Sequence, residues 1–127
     1  MDAYYHFEVD PARNIVRLKL AGFFNETNLQ AFLAARATAF AKLKGPPNSH
    51  VTLVDVRDMK IQSQDMVASF RHLLTDERYF ARRFAFVVGS TLARMQLLRA
   101  LDERRARTFA TTEEAEAWLF AKEEAAA

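Results

Sequence analysis

The sequence predicts an α/β domain with a mostly parallel five-stranded sheet, an antiparallel N-terminal edge and four helices. Segments of strand and helix type follow in the order strand, strand, helix, strand, helix, strand, helix, strand, helix, which is typical of parallel strands joined by helices. Two central segments, "VTLVDV" and "FAFVVG", are almost continuously apolar, as in strands covered on both faces. A length of 127 residues suits one domain. We expect residues 1–121 to form it and residues 122–127 to fray.

The composition narrows the class of protein. Half of the residues are hydrophobic (50%) and Gly and Pro number 3 each, so disordered and loop-rich secreted chains fit poorly. Without cysteine, neither a disulfide framework nor a thiolate metal site can form. No apolar run is long enough to span a bilayer and no leader-like segment opens the chain, so we expect a cytoplasmic protein. A formal net charge of +2 does not indicate a nucleic-acid partner.

The chain opens with a predicted antiparallel hairpin. The segments "YYHFEVD" and "IVRLKLAG" alternate in side-chain character, and "PARN" between them supplies turn residues. A first helix is predicted from Glu26 to Lys44, with Asn25 or Thr27 as its N-cap and "GPPNS" as its stop signal. The apolar residues at helical spacing in this segment are Leu29, Phe32, Leu33, Phe40 and Leu43.

The remaining elements alternate between strands and helices. "HVTLVDV" reads as a central strand, and a charged loop from Arg57 leads to a second helix with apolar residues from Met66 to Leu74. After the strand "RFAFVVG", a third helix is predicted with Ser90 as its cap. "ARTFA" is the fifth strand, and Thr111 with Glu114 has the spacing of a capping box for a fourth helix. The apolar residues of the third helix are Leu92, Met95, Leu98 and Leu101, and those of the fourth are Ala115, Trp118 and Leu119.

This order, with the segments "VTLVDVRDMKIQSQDM", "FAFVVG" and "RTFATTEEAEAWL", resembles the STAS domains of bacterial anti-sigma-factor antagonists, and more closely their SpoIIAA-like branch. The resemblance covers nearly the whole chain and implies a STAS or SpoIIAA-like fold. In regulatory members, a strand ending in an acidic residue leads to a helix whose first turn carries a phosphorylatable serine, where a partner kinase docks. The SpoIIAA-like branch is similar in outline to small lipid-binding domains and tends to assemble, which implies binding rather than catalysis.

Of the residues in the family's motif, the resemblance carries over to Ser63 only. We predict that the loop and helix start around it bind a protein partner, and the residues of this partner-binding loop are Asp58, Lys60, Gln62, Ser63 and Met66. Ser63 stands where the family has its phosphorylatable serine, in an Asp-Ser-Ser-Gly type motif. Gln62 replaces the acidic residue of that motif here, and the paired serine and the glycine are missing. Ser63 also precedes an apolar helical stripe, where a serine oxygen can accept an unpaired backbone N–H. An N-cap and a phosphoacceptor are therefore both open interpretations of Ser63.

Other candidate chemistry is sparse. His6, His50 and His72 fall on different elements without metal-ligand spacing, so we expect no metal site. Asp55 and Asp58 lie at the carboxyl end of a predicted strand. They either form local salt bridges or act as a catalytic pair of carboxylates. No Gly-rich phosphate loop or nucleophile motif is present, so we predict no cofactor and no enzymatic activity.

A basic segment runs from Arg78 to Arg107. It contains eight arginines against Asp102 and Glu103. Two interpretations are open, a solvated and partly paired surface or a surface that binds an anion.

Phenylalanine is abundant, at 11 of 127 residues. Phe23 and Phe24 are adjacent before the first helix, and adjacent residues of an extended chain point to opposite sides. Such residues fill a core, line a ligand site or form an oligomer surface. We predict a homodimer through an apolar patch that includes Phe23, Phe24 and Phe80, with charges such as Arg82 at its rim.

The predicted function is a non-enzymatic STAS-like regulatory or protein-interaction module that presents its partner-binding loop to an unidentified protein. The alternative is a binder of a small apolar or lipid-like ligand, lined by Phe23, Phe24 and Phe70. A deep apolar cavity favours the binder, whereas a filled core with an exposed patch beside Ser63 favours the module.

Overall fold

The predicted sheet is present in the computed structural model, which describes residues 2–89, 95 and 106–122. The strands in this part of the chain are β1 (Tyr4–Asp10), β2 (Ile15–Gly22), β3 (Val51–Met59), β4 (Arg83–Val87) and β5 (Ala106–Phe109). They form one sheet in the spatial order β1-β2-β3-β4-β5. β1 pairs with β2 antiparallel and the other neighbours are parallel, so the hairpin and the parallel central strands are confirmed.

Three α-helices lie within the described residues. They are α1 (Glu26–Phe40), α2 (Gln64–Leu74) and α3 (Thr112–Leu119), and a 3-10 helix covers Glu77–Tyr79. The additional helix predicted after Gly89, with its Ser90 cap, falls on residues 90–105, which are outside the described part except for Met95. The predicted fraying tail also lies outside it beyond residue 122. No helix of the described residues is long and apolar enough to cross a membrane.

The structure corrects one end of α1, which stops at Phe40 rather than Lys44. The chain tightens there, since the Leu43 N–H donates to the Phe40 carbonyl three residues back, and the Gly-Pro-Pro segment then blocks further helix. At the other end, Asn25 is the N-cap. The Asn25 side chain accepts from the Asn28 N–H, and the Asn28 side chain accepts from the Asn25 N–H.

β3 is longer than predicted and includes part of the segment assigned to a charged loop. Asp58 and Met59 still lie opposite Ala21 and Gly22 of β2, beyond an irregularity at which β3 has one residue more than β2. The pattern of the sequence hides this extension because the side chains of Arg57 and Asp58 are charged and exposed while the backbone pairing continues.

Two apolar cores lie on opposite faces of the sheet. α1 and α2 cover one face, where Phe32 and Met66 pack against strand residues such as Val54. α3 covers the other face, where Leu119 packs with residues such as Leu53. The period of two sends alternate side chains of β2 to β5 into the two cores, whereas Tyr4, His6 and Glu8 of the edge strand β1 are exposed.

Candidate functional site

A cavity of about 120 Å³ lies between the sheet and the helices α1 and α2. Its wall is mainly apolar and includes Leu18, Val54, Phe86, Phe32, Val67 and Phe70. A cavity of about 150 Å³ in another protein holds benzene, so this space is of the size that takes a small apolar molecule.

The local sequence explains why space remains here. The floor is built partly from short β-branched side chains, Val16, Val54 and Val56, under a roof carried by two helices. The lining follows β3 from Thr52 to Met59, so the cavity extends along the strand. Its lining also includes Phe7 of β1, Leu18 of β2 and Phe86 of β4, so the cavity extends across the sheet as well.

Arg36 forms a polar end of this cavity. Its side chain is only 9% exposed, and its guanidinium carbon lies 3.8 Å from the centre of the Tyr79 ring. Nη1 donates to the Leu73 carbonyl at 3.3 Å, and Nη2 lies 3.5 Å from Asp76 Oδ2. Arg36 Nε has no hydrogen-bond partner among the described residues. The protein thus buries a cation that keeps an unused donor.

The charges around Arg36 do not cancel. Asp76 accepts hydrogen bonds from Nε and Nη2 of Arg78, at 3.0 and 2.8 Å, and these bonds hold the pKa of Asp76 at about 2. Burial lowers the pKa of Arg36 from its usual value, but a guanidinium stays protonated in proteins. Two guanidinium groups therefore share one carboxylate.

Thr52 adds another polar group to the cavity wall. It is 3% exposed, it lines the cavity, and its Oγ1 has no hydrogen-bond partner in the part of the chain that the structure describes. His50 lies two residues before Thr52 in the sequence, and its ring contacts the Phe40 ring, with 5.0 Å between the ring centres. Since Phe40 is one helical turn from Arg36, Thr52 and Arg36 lie towards the same end of the cavity.

Burial also affects His50. Desolvation lowers the pKa of this histidine from its ordinary value, so the ring is neutral at pH 7. His50 Nε2 has no hydrogen-bond partner among the described residues. The imidazole therefore adds no positive charge beside the polar end.

The predicted partner-binding loop is split between surface and core. Asp58, Lys60 and Ser63 are exposed, whereas Gln62 and Met66 are buried. Ser63 is the N-cap of α2, because its Oγ accepts the Met66 N–H at 3.1 Å. The predicted cap is confirmed.

Gln62 connects two segments that are distant in sequence. Its Oε1 accepts the Phe24 N–H at 2.9 Å, and its Nε2 donates to the carbonyls of Gly22 and Lys60. The Lys60 N–H also donates to the Gly22 carbonyl at 3.0 Å. The chain leaving β2 and the chain leaving β3 are therefore held together at this point.

The predicted carboxylate pair is engaged in local salt bridges. Arg57 donates from Nε and Nη2 to the two oxygens of Asp55, and the Arg57 side-chain bond is the main reason that the pKa of Asp55 is lowered. Asp58 pairs with Lys19 at 3.0 Å. In the described residues, no group of three or more His, Cys, Asp or Glu side chains could hold a metal ion.

The three phenylalanines proposed to line a ligand site differ in position. Phe70 lines the cavity, and Phe24 is 1% exposed with its ring centre 5.5 Å from that of Phe70. Phe23 is 47% exposed and Ile61 is 44% exposed. Each of them is the chain neighbour of one partner in the hydrogen bond between the Phe24 N–H and Gln62 Oε1. Phe23 and Ile61 form an exposed apolar edge beside Ser63.

Part of the basic segment has structural contacts. Arg83 donates to the Trp118 carbonyl, and the guanidinium carbons of Arg83 and Arg107 lie 5.2 and 5.1 Å from the centre of the Trp118 ring. Arg78 pairs with Asp76. The segment also includes Arg94, Arg99, Arg104 and Arg105, which lie outside the described residues.

Sequence reasoning missed Arg36 and Thr52 in the cavity wall. Arg36 falls in the apolar helical stripe of Leu29, Phe32 and Phe40, and a charge in that stripe is a signal that could have identified it. Thr52 gives no comparable signal, since threonine is common in strands.

Comparison with known proteins identifies the fold. No protein-family model and no curated protein sequence matches the chain. The structure is similar to the crystal structure of an uncharacterized protein of the DUF3478 family with a SpoIIAA-like fold, from Shewanella loihica PV-4. That protein is 16% identical, the match covers 92% of this chain and 93% of that chain, and the TM-score is 0.68. The chain has a SpoIIAA-like fold, as the resemblance in sequence implied.

Proposed function

We propose that this chain is a STAS-like binding module that holds a small, mainly apolar ligand between the sheet and helices α1 and α2. The cavity is the observation that carries the proposal, because well-packed cores leave few spaces larger than a water molecule. A ligand there would remove apolar surface from water, at about 25 cal/mol per Å². The SpoIIAA-like fold agrees with a binding role.

Titration with 1-octanol tests this function. We expect the methyl resonances of Val54 and Val56 to shift, since both residues line the cavity. Val67→Phe adds an aromatic ring to the wall and should weaken octanol binding at least tenfold. Ala68→Phe places the same ring on the exposed face of α2 and should leave binding unchanged.

Two results would contradict the function. One is octanol binding that does not shift the cavity methyl groups, and the other is binding that Val67→Phe leaves intact in a folded protein. Native mass spectrometry of the protein purified from its own cells gives an independent measurement, because a retained ligand adds mass to the folded chain.

A protein partner at the exposed apolar edge is the second candidate function. Phe23 and Ile61 are both exposed there, next to Ser63. α2 begins at this edge and also forms part of the cavity roof, so a ligand and a partner would contact the same helix. In this proposal, phosphorylation of Ser63 regulates the contact by adding charge at the start of α2.

Photo-crosslinking in cells tests the partner proposal. A crosslinking residue at Ile61 should capture a defined protein, or a second copy of the chain if the edge forms the predicted homodimer. The same residue at Arg71, which is exposed on α2, serves as the control. Equal products from both positions would contradict a partner site at the edge.

A further inference from the structure

We propose that the cavity selects an amphipathic monoanion, a carboxylate on an unbranched apolar chain, with its head group at Arg36 and Thr52. This inference rests on the proposed ligand-binding function and adds the chemistry of the head group.

The unused hydrogen-bond donors point to an acceptor. Arg36 Nε and Thr52 Oγ1 are both buried and both lack a partner among the described residues. Buried polar groups are almost always hydrogen-bonded, so two unpaired groups in the wall of one cavity call for a common partner. A carboxylate has two oxygens that accept only, and it matches an arginine N–H together with a hydroxyl.

The balance of charge favours an anion with a single charge. Arg36 and Arg78 share the carboxylate of Asp76, and Asp76 makes its shorter contacts with Arg78. The Arg78 side chain is 79% exposed to solvent, so the positive charge that stays incompletely neutralised at this end of the cavity is that of the buried Arg36. A monoanion neutralises it, whereas a dianion would leave a buried negative charge without a partner.

The shape and lining of the cavity describe the rest of the ligand. From Thr52 the lining continues along β3 to Met59 through apolar side chains such as Val54 and Val56. An unbranched chain can follow this row of side chains along β3. Lys60 lies at the opposite end and is exposed, so its ammonium group is already solvated and is a poorer site for a buried head group.

Comparison of ligands with one chain length tests the head group. At neutral pH we expect octanoate to bind the folded protein at least tenfold more tightly than 1-octanol, and octyl phosphate and octylammonium to bind more weakly than octanoate. Arg36→Met should abolish the preference for octanoate while octanol still binds. Arg71→Met removes an exposed arginine on α2 and should leave the preference unchanged.

A second variant keeps the test valid if Arg36→Met fails to fold. Thr52→Val replaces a buried hydroxyl, which has no hydrogen-bond partner among the described residues, with a methyl group of similar shape, so the fold should tolerate it. We expect this variant to bind octanol as well as the wild type does and to bind octanoate several-fold more weakly. Unchanged octanoate affinity in Thr52→Val would overturn the assignment of the head group.

Other results separate this inference from the proposed function. If octanol binds in the cavity but octanoate binds no better, the head-group assignment fails and the apolar cavity stands. Loss of the preference in Lys60→Met instead of Arg36→Met would move the head group to the opposite end, and tighter binding of octyl phosphate would change its class. If neither octanol nor octanoate binds, both proposals fail.

Discussion

Gln62 is the residue whose side chain connects the two chain segments beside the cavity. Removing its amide in Gln62→Met leaves the Phe24 N–H, which Gln62 Oε1 accepts, without that acceptor in a buried environment. An unpaired buried backbone group costs about 1–3 kcal/mol, so we expect the free energy of unfolding to fall by about 2 kcal/mol or more. Chemical denaturation measures it.

Gln64 gives the matched control for this substitution. It lies two residues away and is exposed, so Gln64→Met should change the stability by less than about 0.5 kcal/mol. Equal stability of the two variants would show that the Gln62 bonds contribute little.

His50 makes stability depend on pH. Burial lowers its pKa below the ordinary value of 6.5, so the unfolded chain binds a proton more readily than the folded chain does. The contribution of the neutral His50 ring to the free energy of unfolding is therefore fully present above about pH 6.5. It is lost as the pH falls from there towards the pKa that His50 has in the folded chain. We expect the wild type to lose more stability than His50→Leu between about pH 7 and about pH 5. Parallel stability curves for the two proteins would contradict this prediction.

At the scale of single elements, the start of α2 depends on Ser63. Ser63→Ala removes the oxygen that accepts the Met66 N–H, and loss of such a cap costs about 0.5–2 kcal/mol. Ser63→Asp should be nearly neutral because aspartate also caps helices well. Denaturation curves of both variants measure the effect. If Ser63→Asp is as destabilising as Ser63→Ala, the cap explanation is insufficient.

Phosphorylation of Ser63 is tested separately. Intact mass measurement of the protein from its own cells reports a phosphate group directly. Stoichiometric modification would favour the regulatory interpretation of the loop, and an unmodified chain under all growth conditions would leave Ser63 as a structural cap.

Strands and helices were predictable where burial imposes a period on the sequence. The alternation in β1 and β2 and the apolar run of β3 identified the sheet, and the cap residues identified the starts of α2 and α3. Element ends were less predictable. β3 continues through Arg57 and Asp58 because the backbone of β2 is still available for pairing, and that information is not local to the sequence.

The candidate site was predictable only in part, because its polar groups meet through tertiary structure. Phe70 was predicted from the sequence to line a ligand site, and it lies in the cavity wall. Arg36 and Thr52 are on α1 and β3, and nothing in their local sequence shows that packing leaves both without a hydrogen-bond partner among the described residues. Charge patterns predict surfaces well, whereas a buried cation depends on which elements cover it.

At the scale of the whole molecule, we predict a homodimer through the edge of Phe23 and Ile61. Phe24 packs inside the single chain, so Phe23 and Ile61 are the anchors that remain exposed. A stable two-fold interface should bury at least about 1,000 Å² with apolar anchors near its centre. Phe23→Asp should therefore give a folded monomer, because it places a charge at the centre of the interface. Phe120→Asp alters an exposed phenylalanine after α3 and should leave the dimer intact. Sedimentation at micromolar concentration distinguishes these results, and a wild-type protein that stays monomeric would contradict the predicted dimer.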